Sequence, residues 1–325
     1  MKTRHAKASA KAPAPLGLPT RQPAIHNILA TTDFSHEALA GVRYGVALAR
    51  KLGTTLTLLH VAEPPSWMAG MEVTPLAWDE AKVNALARRL LKSLAEHESR
   101  RGLHLNCSLR TGKPFHEICQ AARDEGADLL VIATHGYTGA RHLLLGSTTE
   151  RVVRHAPCPV LTVRTANPPR PLGKTPPLRL KKILVPLDFS SLSLDALPWA
   201  QFLATQFDAQ LLLLHVVQTY PIDHLLGAEL MNQTFTPLMK EAEAELQRLA
   251  TDLSQSTRLK TSVVVREGTP FDAICRNAKM LGADLIVLTT HGYTGLKHIW
   301  LGSTAERVVR HASCPVLVVR PPTRL

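Results

Sequence analysis

The chain has 325 residues, and 45% hydrophobic with 20% charged residues exclude a disordered, collagen-like or disulfide-dense protein, while the length allows one large or two medium cores. Its net charge of +12 is concentrated outside the apolar segments: residues 1–26 carry +5 and residues 165–182 another +5, leaving +2 for everything else. A chain so nearly neutral where it folds is not expected to present a specific nucleic-acid surface.

Residues 1–26 contain Lys2, Arg4, Lys7, Lys11 and Arg21 with no acid and no apolar stretch, which predicts a basic disordered tail rather than a secretory signal. Short β-rich apolar runs then alternate with amphipathic segments. Strands are predicted near 27–32, 54–61, 103–109, 128–133 and 159–163, and helices over 36–51, 78–100, 114–125 and 148–155. In the first helix Leu39, Val42, Val46 and Leu48 share the apolar side. Residues 165–181, rich in Pro and lacking acids, read as an extended tether. Gly173-Lys174-Thr175 within it is not a phosphate loop, since Pro168 stands where that loop needs Gly and Pro176-Pro177 where it needs a helix.

After the tether the pattern starts again. Residues 134–164 and 290–320 agree at 24 of 31 positions. Asp33-Phe34-Ser35 matches Asp188-Phe189-Ser190, and His60-Val61 matches His215-Val216, so the whole domain is duplicated over 27–164 and 182–320. The fold class is α/β, as two tandem doubly wound domains, each a five-stranded parallel sheet. The densest apolar run, Leu211 to Val217, is interrupted by His215 and falls well short of the ~20 residues of a membrane-spanning helix. Cys119 matches Cys275 and Cys158 matches Cys314, no CxxC is present, and the apolar contexts suit buried thiols in a cytoplasmic protein.

The candidate site follows the fourth strand of each repeat. Glycines allow close backbone approach, and the first amides of the next helix favour an anion such as phosphate. The plainer alternative makes Ser147-x-x-Glu150 and Ser303-x-x-Glu306 capping boxes with Ser as N-cap. Arg151, Arg154 and His155 would then complement the helix dipole. Asp33 and Asp188 suit the carboxyl edge of a parallel sheet, where ligands bind, or simply the turn into a helix capped by Ser35 or Ser190. His60, His135, His215 and His291 lie near the same edges, yet no repeat supplies a familiar metal-ligand set, so turn or core roles are expected.

These residues resemble the universal stress protein family, two domains of it in tandem. In its nucleotide-binding members the motif Gly, two residues, Gly, nine residues, Gly, Ser or Thr holds the ribose and phosphates of ATP. Gly136, Gly146 and Ser147, and likewise Gly292, Gly302 and Ser303, fall on the motif, with Ala133 and Thr289 at its first Gly and Thr148 and Thr304 following the Ser. The resemblance implies a Rossmann-like, adenine nucleotide alpha hydrolase-like fold and an adenosine pocket containing Asp33, Val61, Asp188 and Val216. It implies ATP, alone or with Mg, as ligand, and pairing of the two repeats through their fifth strands, with homodimer formation as a further step. It also implies an unknown protein partner and no membrane. The function it implies is nucleotide-dependent conformation or partner contact in a stress response, without efficient catalysis. A scaffold that no longer binds nucleotide and a slow ATP hydrolase are the alternatives.

Overall fold

A computed structural model describes residues 22–64, 79–99, 102–134, 146–164, 178–219, 228–290 and 302–320. The first repeat runs β1 (Asn27–Thr31), α1 (His36–Leu52), β2 (Thr55–Ala62), α2 (Glu80–Ser99), β3 (Leu105–Thr111), α3 (Pro114–Asp124), β4 (Leu129–Ala133), α4 (Ser147–His155) and β5 (Val160–Val163). The second runs β6 (Lys182–Pro186), α5 (Ser191–Leu194), α6 (Leu197–Phe207), β7 (Gln210–Gln218), α7 (Ala228–Thr257), β8 (Thr261–Gly268), α8 (Pro270–Leu281), β9 (Leu285–Thr289), α9 (Ser303–His311) and β10 (Val316–Val319).

Among the described residues one ten-stranded sheet forms, in the order β3-β2-β1-β4-β5-β10-β9-β6-β7-β8. Pairing is parallel within each repeat and antiparallel only at the central seam, where Leu317 lies opposite Leu161 and Val316 opposite Thr162. Helices cover both faces, which is why β4 (LLVIA) is apolar along its whole length, β9 (LIVLT) is apolar up to its terminal Thr289, and both are buried throughout. Each face carries one hydrophobic cluster, and each cluster contains residues of both repeats.

Several boundaries differ from the sequence expectation. The third strand lies two residues later than its pattern suggested, at Leu105–Thr111. Residues 22–26, read as tail, are ordered: Ile25 is buried, and the amides of His26 and Asn27 donate to Asp128 Oδ2 at 2.7 and 3.0 Å. The end of the tether repeats this, with Leu180 buried and the amides of Lys181 and Lys182 on Asp284 Oδ2 at 2.7 and 3.0 Å. The rest of the tail, residues 1–21, and residues 165–177 of the tether lie outside the described residues.

Helix α1 packs on the sheet through Val42, Val46 and Leu48, as its pattern predicts, and through small residues, whereas Leu39 is only half-buried. A Cβ on Gly41 would stand 3.2 Å from the Ala133 amide nitrogen, and one on Gly45 would stand 3.2 Å from Ala30 Cβ. In the second repeat Pro198 has no N–H to donate, and the corresponding helix is interrupted between α5 and α6.

Candidate functional site

At the carboxyl ends of β1, β2 and β4 lies a cleft of about 310 Å³, lined among others by Asp33, Val61, Glu63, Ala133, Gly146, Ser147 and Thr148. The second repeat has a cleft of about 220 Å³, lined among others by Asp188, Val216, Gln218, Thr289, Gly302, Ser303 and Thr304. Twelve of the fourteen sequence-selected residues therefore meet in two clefts. The remaining two, Gly136 and Gly292, lie outside the described residues, as do His135 and His291.

The first wall of each cleft is a strained turn. Phe34 and Phe189 both adopt φ 62°, a left-handed conformation that costs a residue other than Gly about 1–3 kcal/mol. Local hydrogen bonds hold it: Ser35 N donates to Asp33 Oδ1 at 2.9 Å, and Ser190 N donates to Asp188 Oδ1 at 3.0 Å. Ser35 and Ser190 then cap their helices through Ala38 N and Ser193 N, each at 3.1 Å. The turn reading of the aspartates is seen in these bonds, and each aspartate also lines its cleft.

The strained phenylalanines lie against histidines. Phe34 and His60 have ring centroids 4.5 Å apart, and Phe189 stacks on His215 at 4.4 Å. Nδ1 of each histidine is 2.8 Å from a backbone carbonyl, Thr32 O and Leu187 O, which assigns the proton of the neutral ring to Nδ1. Burial pushes both imidazoles below their ordinary value and outweighs the raising effect of the carbonyl and of the adjacent aspartate. A group whose folded value is depressed binds its proton first in the unfolded chain, so its contribution to stability is complete above about pH 6.5 and declines as pH falls below that. The melting temperature should therefore fall on acidification from about pH 7.5 to 5. A His60→Gln/His215→Gln chain should show a shallower fall, and equal slopes for the two chains would contradict this role.

The opposite wall corrects the capping-box expectation. Gly146 and Gly302, not the serines, are the N-caps, and no side-chain cap bond is made to either helix among the described residues. Ser147 and Ser303 are the first helical residues. The glutamates point elsewhere: Glu150 and Glu306 pair with Arg154 and Arg310 at 2.8 and 2.9 Å along their own helices. The start of each helix consequently presents backbone amides at the cleft, with no side-chain cap acceptor among the described residues, a geometry suited to an anion.

The clefts differ in where one hydroxyl sits. In the first, Thr149 Oγ1 donates to Ala133 O at 2.7 Å. In the second, Ala305 replaces that threonine and Thr289 replaces the alanine, moving the hydroxyl onto the strand end. Ser193 replaces Ala38 in the same cleft, and Gln218 replaces Glu63.

No cysteine lines either cleft among the described residues. Burial pushes Cys158 and Cys314 up to about 12 and Cys275 up to about 11, so these cysteines are protonated at neutral pH.

A doubly wound sheet with a Gly-capped helix facing its carboxyl edge defines a Rossmann-like α/β domain, built here twice in one chain. The sequence profile of the Universal stress protein family matches residues 24–164 and 179–320, and the chain belongs to that family. Universal stress protein MJ0531 of Methanocaldococcus jannaschii is 39% identical over 144 residues, which is 44% of this chain and 84% of that one. A universal stress protein of Mycolicibacterium smegmatis is 27% identical over 302 residues, 91% of this chain and 97% of that one. In fold, the crystal structure of a universal stress protein from Archaeoglobus fulgidus superposes with a TM-score of 0.64 at 20% identity, covering 92% of this chain and 97% of that one. No helix among the described residues is long and apolar enough to cross a membrane.

Proposed function

We propose that the chain binds ATP in both clefts and acts in a cytoplasmic stress response through nucleotide-dependent conformation or partner contacts rather than as an efficient catalyst. The units would be residues 27–164 and 182–320, with the tail and the tether outside them. One observation carries this reading: Asp33, Val61, Ala133, Gly146, Ser147 and Thr148 converge on one cleft, their counterparts on another, and each helix start is capped by Gly alone. The amides of the first helical turn would take phosphate oxygens. Asp33 would accept from ribose hydroxyls, and the apolar wall of Val61, Ile118 and Ile132 would take the adenine. At about 310 Å³ the first cleft reaches the lower end of the ~300–1,000 Å³ usual for such sites.

No Lys, Arg or His lines either cleft among the described residues. Mg would arrive with the phosphates of the nucleotide. Titration with millimolar ATP, with phosphate release followed in parallel, tests the reading. Two binding events with little or no phosphate released are expected, whereas no binding would leave a scaffold of the same fold.

The second site should be the weaker. Thr289 puts a branched side chain where Ala133 has one methyl, and the cleft shrinks from about 310 to about 220 Å³. Glu63 opposes this ranking by adding a negative charge to the first cleft, but an exposed, screened carboxylate is worth about 0.5 kcal/mol. Overpacking typically costs about 1–3 kcal/mol, so steric loss wins. Thr289→Ala should tighten ATP at the second site and Ala133→Thr should loosen it at the first. A second site at least as tight as the first in the parent chain would refute the order.

A further inference from the structure

Each cleft-facing helix ends against the other repeat. Directly after β10, Arg320 reaches across the seam and donates through its two terminal nitrogens to Ala156 O and Arg154 O, the last carbonyls of α4. Directly after β5, Arg164 makes the reciprocal contact, donating through Nη1 to Ala312 O at the end of α9 at 3.1 Å. The antiparallel register of β5 and β10 causes the exchange, because it carries the end of each strand to the far side of the seam. Between these two contacts the helices are joined directly: Arg154 Nη2 lies 3.0 Å from Glu306 Oε2, and Arg310 Nη2 lies 4.0 Å from Glu150 Oε2.

We propose that the two nucleotide sites are completed in a crossed manner, Arg320 of the second repeat acting as a positioning residue for the first cleft and Arg164 of the first repeat for the second. This rests on the reading that both clefts take the phosphates of a nucleotide. Helix ends leave carbonyls without intrahelical partners, and a guanidinium both satisfies them and complements the negative end of the dipole. Each helix has nine residues, a rigid rod about 13 Å long, so what fixes its last turn also fixes the amides of its first. The ion pairs between Arg154 and Glu306 and between Arg310 and Glu150 hold the two rods at one relative position, which joins the sites mechanically.

The test uses the full chain and ATP as probe, with Gly302→Val leaving the first site to be read alone and Gly146→Val leaving the second. Arg320→Met should weaken ATP at the first site by about three- to tenfold and leave the second within about twofold. Arg164→Met should do the reverse, and Arg320→Lys should restore part of the loss because the charge and one donor remain. Arg320→Met acting equally on both sites, or on neither, would overturn the crossed assignment. Hydrogen exchange without nucleotide gives a reading that does not depend on binding. Arg320→Met should speed exchange at the first hydrogen-bonded amides of α4, Glu150, Arg151 and Val152, more than at Glu306, Arg307 and Val308 of α9. Failure of the parent to bind ATP would remove the nucleotide reading alone, whereas equal exchange at the two helix starts would remove the crossed positioning itself.

Discussion

A Gly146→Val chain should fold normally and bind one ATP where the parent binds two, and Gly302→Val should lose the other. Folding survives because these glycines do not occupy a conformation reserved for Gly: φ −57°, ψ 137° and φ −67°, ψ 147° are extended values that valine adopts readily. Binding suffers because the branched Cβ stands immediately before the first helical amides, in the space a phosphate must enter to reach them. A hydrogen bond to a charged group is worth about 1.5–3 kcal/mol, and loss of one or two of them weakens binding by about a hundredfold. Calorimetry should show the stoichiometry fall from two to one, with an unchanged far-ultraviolet dichroism spectrum. Two undiminished sites in either variant would remove the helix starts from the binding reaction.

The architecture was legible because the same alternation is written twice. The fourth and fifth strands are apolar except for Thr162, as strands buried on both faces are expected to be, and Asp33-Phe34-Ser35 recurring as Asp188-Phe189-Ser190 marked the turn at the cleft. What escaped was decided by spatial neighbours. Ser147 and Glu150 have the spacing of a capping box, but Glu150 is drawn instead to Arg154 on its own helix and to Arg310 on the other repeat. Ile25 and Leu180 sit in polar or Pro-rich stretches that resemble tail and tether, yet each enters the core shared by the repeats. The transfer of a hydroxyl from Thr149 to Thr289 is visible only when strand end and helix start are known to face each other. Tyr44 and Trp199, at equivalent positions, likewise give no sign in sequence that both reach the same space beneath the seam.

Unfolding should be a single event for both repeats, and Leu317→Ala should weaken the first repeat as much as the second. Leu317 and Leu161 face each other across the seam at 1% and 3% exposure, in a cluster that contains β1 and α1 residues together with β6 and α6 residues. Removing a buried leucine side chain costs about 2–5 kcal/mol, against a total stability of about 5–15 kcal/mol for a folded domain. Leu317→Asp adds the penalty of a buried, unpaired carboxylate and should leave little native protein at neutral pH. Because the damaged contact is shared, the Leu317→Ala chain should unfold in urea at a lower midpoint in one transition, without a plateau. Hydrogen exchange locates the effect: the amides of β4, in the repeat that was not altered, should lose protection in step with those of β9. If β4 kept the parent's protection while β9 lost it, the repeats would be separate folding units that merely touch, and the seam would no longer account for their cohesion.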